Sequence, residues 1–338
     1  MSGSLTRFGI GKEVTYGTAV AVTKSYEIIS EDFTGTYERI QAEALSGSYV
    51  DRADRFGVNR KGAAGSVTLE PLTRGFGDWL AFMLGSVSTG AVVETASYLH
   101  TGTVASLNGK NLTAQVLRAD ENDVLRPWTY EGGKVTNFEF SNSVDQTLRA
   151  SIGMDFELES NPDAPATVYA GTALEALATP VGANVFTWQE GTISVGGSAI
   201  DVSDVTIGVD NALNTDRYFI RAGQSKREPK QDGKREISWS FTTNYTDNTF
   251  WEKVSSATAA GTYAELRAKW VGLTMIPGTT TKYPTLEIVI PVARFDEGGP
   301  TVDGPSMLEQ SFSGVGLYDG TTSPISILYT SQDVTVLA

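Results

Sequence analysis

The stretch TLRASIGMDFELE, Thr147–Glu159, alternates almost without a break. Leu148, Ala150, Ile152, Met154, Phe156 and Leu158 fall on one side of an extended chain; Arg149, Ser151, Asp155 and Glu157 fall on the other. Side chains of a strand point alternately to its two faces, so this pattern predicts an antiparallel strand with one apolar and one polar face. Working outward, the same period recurs in SVTLE (Val67 and Leu69 inward), REISWSF (Ile237, Trp239, Phe241), AELRAKW (Leu266, Ala268, Trp270) and TLEIVIPV (Leu286, Ile288, Ile290, Val292). DVTIGV and ISILY read as weaker strands. Helical spacing is confined to Phe76, Trp79, Leu80 and Met83, with Thr73 as a cap, and to Phe250, Trp251 and Val254 after Thr246 or Asp247. The predicted class is mainly β (α+β): antiparallel sheets or sandwiches, each flanked by one short helix.

The succession of elements repeats. Each half reads strand, long polar stretch, strand, helix, strand, then paired strands around EGGKV in the first half and DEGGPTVDG in the second. Val67 and Leu69 are matched with Ile237 and Trp239, Trp79 with Trp251, and Gly132-Gly133 with Gly298-Gly299. A tandem duplicate leaves this kind of record. The expected division is 1–160, a linker over 161–187, and 188–338. The linker carries Pro162, Pro165 and Pro180 and one helical turn at ALEAL, and is expected to lie over the surface.

Composition excludes several chemistries. The chain has 338 residues, no cysteine and one histidine, His100. Disulfides, thiolate catalysis and zinc–cysteine sites are out of reach, and His100 reads as an ordinary loop residue. Carboxylate pairs such as Asp296/Glu297 and Asp201/Asp204 fall in turns and at strand ends, where acids are common for local reasons. DEGGPTVDG lacks calcium-loop spacing, and FGIGKEVTYG lacks that of a phosphate loop. No cofactor, metal or catalytic site is expected. No apolar run is long enough to span a membrane as a helix, and the opening lacks a signal-peptide core; a soluble, intracellularly made protein is expected.

Charge is unevenly placed. The formal net charge is −14, yet RADRFGVNRKGAAGSVTLEPL (52–72) and RAGQSKREPKQDGKREISWSF (221–241) are locally cationic. The first carries Arg52, Arg55, Arg60 and Lys61. The second, with its approach, carries Arg217, Arg221, Lys226, Arg227, Lys230, Lys234 and Arg235. Long loops opposite in sign to their own molecule suit contact with another copy of it. The polar faces of the sheets offer Glu139, Asp155, Glu157, Glu287 and Glu309, with Arg149 and Arg267 among them. Copies joined edge to edge would remove exposed strand edges and turn that face to a lumen.

The chain resembles the tail tube (major tail) proteins of long-tailed bacteriophages. The likeness rests on GKEVTYGTAV (Gly11–Val20), SYEIISEDFTGTYERIQAEAL, GSVTLEPLTRGFGDWLAFMLGS and GGKVTNFEFSNSVDQTLRASIGMDFE, and in the second half on DVTIGVDNAL, KREPKQDGKREISWSF and PTLEIVIPVARFDEGGP. It implies a structural, non-enzymatic virion protein whose rings stack into a tube and close into a β-barrel. The tape-measure protein and DNA pass through its acidic lumen during ejection, without sequence-specific binding. It implies contacts with the tail terminator and distal tail protein, assembly in the host cytoplasm, and no membrane partner. Two tandem tube domains imply a homotrimer with pseudo-sixfold symmetry, a hexamer being the alternative. By the same resemblance, Arg52–Ala63 and Arg217–Lys234 touch neighbouring subunits or rings, and the N-terminal arm and C-terminal SPISILYTSQDVTVLA add strands or clasp neighbours. Competing readings are another virion β-protein, such as a distal-tail adaptor or capsid decoration, and a carbohydrate-binding β-protein using Trp79, Trp128, Trp188, Trp239, Trp251 and Trp270.

Overall fold

The structure is a computed structural model describing residues 2–44, 47, 49–91, 94, 96–160, 169–178, 182–221, 225–302, 304, 305 and 307–337, apart from the side chains of residues 2, 91, 259 and 260. The first half holds β1 (Arg7–Glu13), β2 (Lys24–Tyr26), β3 (Ser30–Glu31), β4 (Thr34–Gln41) and β5 (Phe56–Leu69). A 3-10 turn, Phe76–Trp79, leads into α1 (Leu80–Leu84). Then come β6 (Gly85–Ala91), β7 (Tyr98–Val104), β8 (Asn111–Ala119), β9 (Leu125–Ser143), β10 (Arg149–Phe156), β11 (Leu158–Ser160) and α2 (Thr172–Ala176). The second half holds β12 (Gly191–Val195), β13 (Ser198–Ile200), β14 (Asp204–Asp210), β15 (Leu213–Asn214), β16 (Lys230–Gln231) and β17 (Glu236–Asn244). After α3 (Thr249–Val254) follow β18 (Tyr263–Val271), β19 (Thr285–Pro300), β20 (Glu309–Gly316) and β21 (Ser326–Ser331). All ladders between these strands are antiparallel.

The expected apolar faces form the core. Leu148, Ala150, Ile152, Met154, Phe156, Val67, Leu69, Ile237, Trp239, Phe241, Leu266, Ala268 and Trp270 are all buried. In β19 the alternation shifts. Ile290 is inward but Val292 is only half-buried, because a bulge opposite Ala264/Leu266 hands the inner face to Ala293 and Phe295.

Strand pairing repeats from half to half. The first half runs β4–β5–β10–β9–β8–β1–β2 and the second runs β14–β17–β20–β19–β18–β12–β13. Two of the first half's three ladder irregularities recur; the third, between Tyr37 and Arg39 in the hairpin of β4 with β5, does not. Leu112/Ala114 in β8 against β9 matches Ala264/Leu266 in β18 against β19. The skipped Thr136 of β9 matches the skipped Asp296 of β19. Pairing therefore equates Val67 with Phe241 rather than with Ile237. Residues 30–36 become the counterpart of β14.

Several expectations need correction. Gly132-Gly133 and Gly298-Gly299 lie inside single long strands and do not separate paired ones. Gly132 has φ 68°, a value only glycine adopts readily, and it lets β9 bend from the ladder with β8 into the ladder with β10. The cationic stretch after Arg55 is strand, since β5 runs on from Phe56 as a hairpin with β4. Both faces of that hairpin are largely exposed, so alternation could not reveal it. Thr73 is no cap: its hydroxyl accepts the Asn184 N–H, and Gly75 in a left-handed conformation precedes the 3-10 turn. Trp251 is exposed, leaving Phe250 and Val254 to hold α3 on the core. His100 is buried in β7, its Nδ1 2.9 Å from the Thr89 hydroxyl, and burial lowers its pKa.

Part of the linker lies outside the described residues. Its described ends are packed rather than laid over the surface: Leu174 of α2 is buried with Val22 and Leu117, and Phe186 is buried in the main core. The C-terminal segment adds a strand to its own chain, β21, between β19 and β7. Asp333 accepts the Gly75 N–H at 2.7 Å, and Asp78 that of Leu337 at 2.7 Å. The N-terminal segment starts as a 3-10 turn, Ser2–Leu5, and enters the sheet as β1.

Candidate assembly surface

One sheet crosses both halves in the order β4–β5–β10–β9–β14–β17–β20–β19, its midline being the ladder of β9 with β14. One face of it packs on α1, α3 and the core. The other is a carpet of small polar residues, including Ser66, Ser141, Thr206, Ser238, Ser240 and Ser313. Among the described residues the sheet is open. β4 pairs only with β5, and residues 295–300 of β19 pair only with β20.

Acids are set into the small-polar face. Glu139 and Glu309 are exposed there, with Arg149 opposite Ser141. Asp204, Asp210 and Glu236 share the face, and Glu139, Glu236, Asp296 and Glu297 line one shallow groove. The sequence reading missed Asp204, Asp210 and Glu236 as face residues, and took Asp296 and Glu297 only as turn acids. Glu287 is elsewhere: it is largely buried in the part of β19 beside β18, bonded to Arg267. Asp155 lies on the small-polar face but is covered, because Lys226 sits on it. Burial raises the Asp155 carboxyl to about 6 even with that ammonium in contact. Glu157 is half-buried where the chain bends from β10 into β11.

The two cationic stretches meet within the chain. Arg60 reaches Asp216 at 2.8 Å and lies over the Tyr218 ring, whose hydroxyl donates to the Lys61 carbonyl at 2.8 Å. Lys61 bridges Ser225. Lys226 pairs with Asp155, and Lys230 with Glu228 at 2.7 Å. Glu228 also holds Lys134, an almost fully buried amine, at 2.7 Å. Partial burial opposes ionisation of Glu228, but Lys134, Lys230 and the Gly109 N–H outweigh it and hold the carboxyl at about 2. Arg217 donates to the Glu228 carbonyl and Arg221 to that of Ser225. Residues 211–221 and 225–235 are thus an arm clasped over the first half. Arg227 and Lys234 stand exposed on it.

The counterpart arm, described over residues 37–44, 47 and 49–61, differs. Arg52 and Arg55 are occupied by Asp54. Tyr37, Ile40, Tyr49, Val50, Phe56 and Val58 are all exposed large side chains on it. A family model described as phage tail tube protein matches residues 3–316, most of the chain and both halves of the sheet. The chain belongs to the phage tail tube family. No curated protein matches the sequence.

Membership makes this tube protein a structural component of a virion tail that self-assembles into a tube. The open sheet accords with that. Unpaired strand edges invite pairing with another chain, and apolar groups on a projecting hairpin mark an interaction surface. Among the described residues no group of three or more acids or histidines is placed to hold a metal, and no helix is long and apolar enough to cross a membrane. Of the six tryptophans, Trp79, Trp239 and Trp270 are buried and Trp128 packs on the core, so four are spent on packing.

Proposed function

We propose that each chain supplies two tandem tube domains, 1–160 and 188–338, and that three chains close a pseudo-sixfold ring whose stacked copies form the tail tube. A single observation carries this reading: the second half repeats the strand order of the first, with two bulges in the same places. Chance agreement of two α+β halves does not require matching bulges.

The eight-stranded sheet is the wall element. Three chains would contribute about 24 strands, and at ~4.8 Å per strand the bore between backbones is on the order of 40 Å. The small-polar face lines it. Glu139, Asp204, Asp210, Glu236 and Glu309 give that lining a negative sign, which repels phosphate and lets DNA and the tape-measure protein slide without sticking. The terminator and the distal tail protein meet the two ends of the stack. The exposed cations Arg227 and Lys234 face acidic surface of an adjacent subunit or ring.

Negative-stain electron microscopy of the concentrated protein tests the reading. Hollow tubes of stacked rings are expected. A closed small oligomer that never stacks would instead favour the adaptor.

A further inference from the structure

The junction between the two halves is a template for the junction between chains. In the tube protein β9 and β14 pair in a defined register: Val209 with Phe138, Gly208 with Glu139, Asp210 with Asn137. The pairing equivalences convert β14 into residues 30–36 and the second part of β9 into residues 295–302. Those two segments are the free edges of the eight-stranded sheet. We infer that residues 31–36 of one chain pair antiparallel with residues 297–302 of the next, Gly35 opposite Gly298 and Thr36 opposite Glu297. This rests on the reading that copies of the chain close into a ring.

The local chemistry fits that register. On β9 the residues whose backbone groups face β14 include Thr136, whose carbonyl accepts the Asn211 N–H at 2.8 Å. By equivalence Asp296, Gly298 and Pro300 turn theirs to the free edge. Gly298 and Gly35 can exchange two N–H···O=C bonds, as Phe138 and Val209 are placed to do. Pro300 has no N–H to give, which is tolerated at an edge. Its partner would be Phe33, and the Phe33 carbonyl already accepts the Tyr130 hydroxyl at 3.1 Å and Arg118 at 2.9 Å. The one donor the trans ladder lacks is thus supplied within the chain.

The arms extend the same equivalence. Residues 211–235 clasp the first half at Lys61 and Asp155, filling the space beside Gly62. The equivalents of Gly62 and Asp155 on the second half are Glu236 and Val315, which line the shallow groove on the small-polar face with Glu139 and Glu297. Residues 37–61 of the neighbouring chain would lie there. That arm carries apolar Ile40, Phe56 and Val58 where the within-chain arm carries ion pairs, and the groove offers Val315 beside its acids. A head-to-tail contact of this kind generates a ring when its rotation closes.

The absence of native cysteine makes disulfide trapping clean. Thr36 and Glu297 are both exposed and would form a closely spaced pair. A Thr36→Cys/Glu297→Cys variant, concentrated, imaged and oxidised, should give tubes and a non-reducing ladder of covalent dimers and trimers. Asn137→Cys/Asp210→Cys should bridge within one chain, and Thr36→Cys/Val302→Cys should not link. Tubes without a ladder, while the within-chain control bridges, would overturn this register and leave the tube reading standing. Neither tubes nor ladder would overturn both.

Discussion

Lys226 and Asp155 show what a residue-by-residue reading can and cannot reach. Alternation places Asp155 on the polar face of its strand, and that holds. The covering of Asp155 by a lysine 71 positions away is a tertiary event with no local signature. A cationic, glycine-containing stretch reads as solvated, yet Lys226 is almost fully buried. Lys226→Met leaves a buried carboxyl without its partner and should cost about 3 kcal/mol at pH 8 in urea unfolding. The deficit should shrink at pH 5. Asp155 binds its proton more tightly folded than unfolded, so between about 4 and 6 lowering the pH favours the folded state. Glu13 gives a second case. Burial raises it to about 7 although Thr113, Gly132 and Gly17 all donate to it. Its ionisation therefore costs stability as pH rises from about 4.5 to 7, and Glu13→Gln should flatten the stability profile over that window. Charge-reversal tests of assembly belong at Arg227 and Lys234, since Lys226 and Lys230 are committed inside the chain. Asp204, Asp210 and Glu236 were legible in principle: they flank the alternating DVTIGVD and REISWSF on their polar phase.

Elements were legible where one face is buried. The core strands and the two expected helices, α1 and α3, stand where the apolar period puts them, within a few positions. Three kinds of element were not. The hairpin of β4 and β5 is wet on both sides, so it has no apolar period. The bends of β9 and β19 are single strands broken by glycine, which reads as a turn. His100 entered the core because β21, far along the chain, covers β7. The bend is testable. A Cβ on Gly132 would lie 2.6 Å from that of Glu157 at a positive φ, so Gly132→Ala should cost about 2 kcal/mol by thermal or chemical unfolding. The arm is testable separately. Phe56 is 55% exposed in the single chain, so Phe56→Asp should leave the melting temperature nearly unchanged while abolishing tubes. Normal tubes from that variant would remove the arm from the interface.

At the scale of the molecule, the repeat was visible in the order of elements, but its register was not. Matching tryptophans and glycines by spacing aligned Val67 with Ile237; the ladders align it with Phe241. The halves differ in side chains but share pairing partners and two bulges, which only the folded chain displays. Their fusion into one eight-stranded sheet makes the number of chains per ring the decisive quantity. Rotational symmetry of assembled tubes by cryo-electron microscopy measures it directly. The account predicts threefold rings with six near-equal wall units around an open bore lined by the small-polar face. Rings of six whole chains, or threefold rings with a different face of the sheet toward the bore, would contradict it.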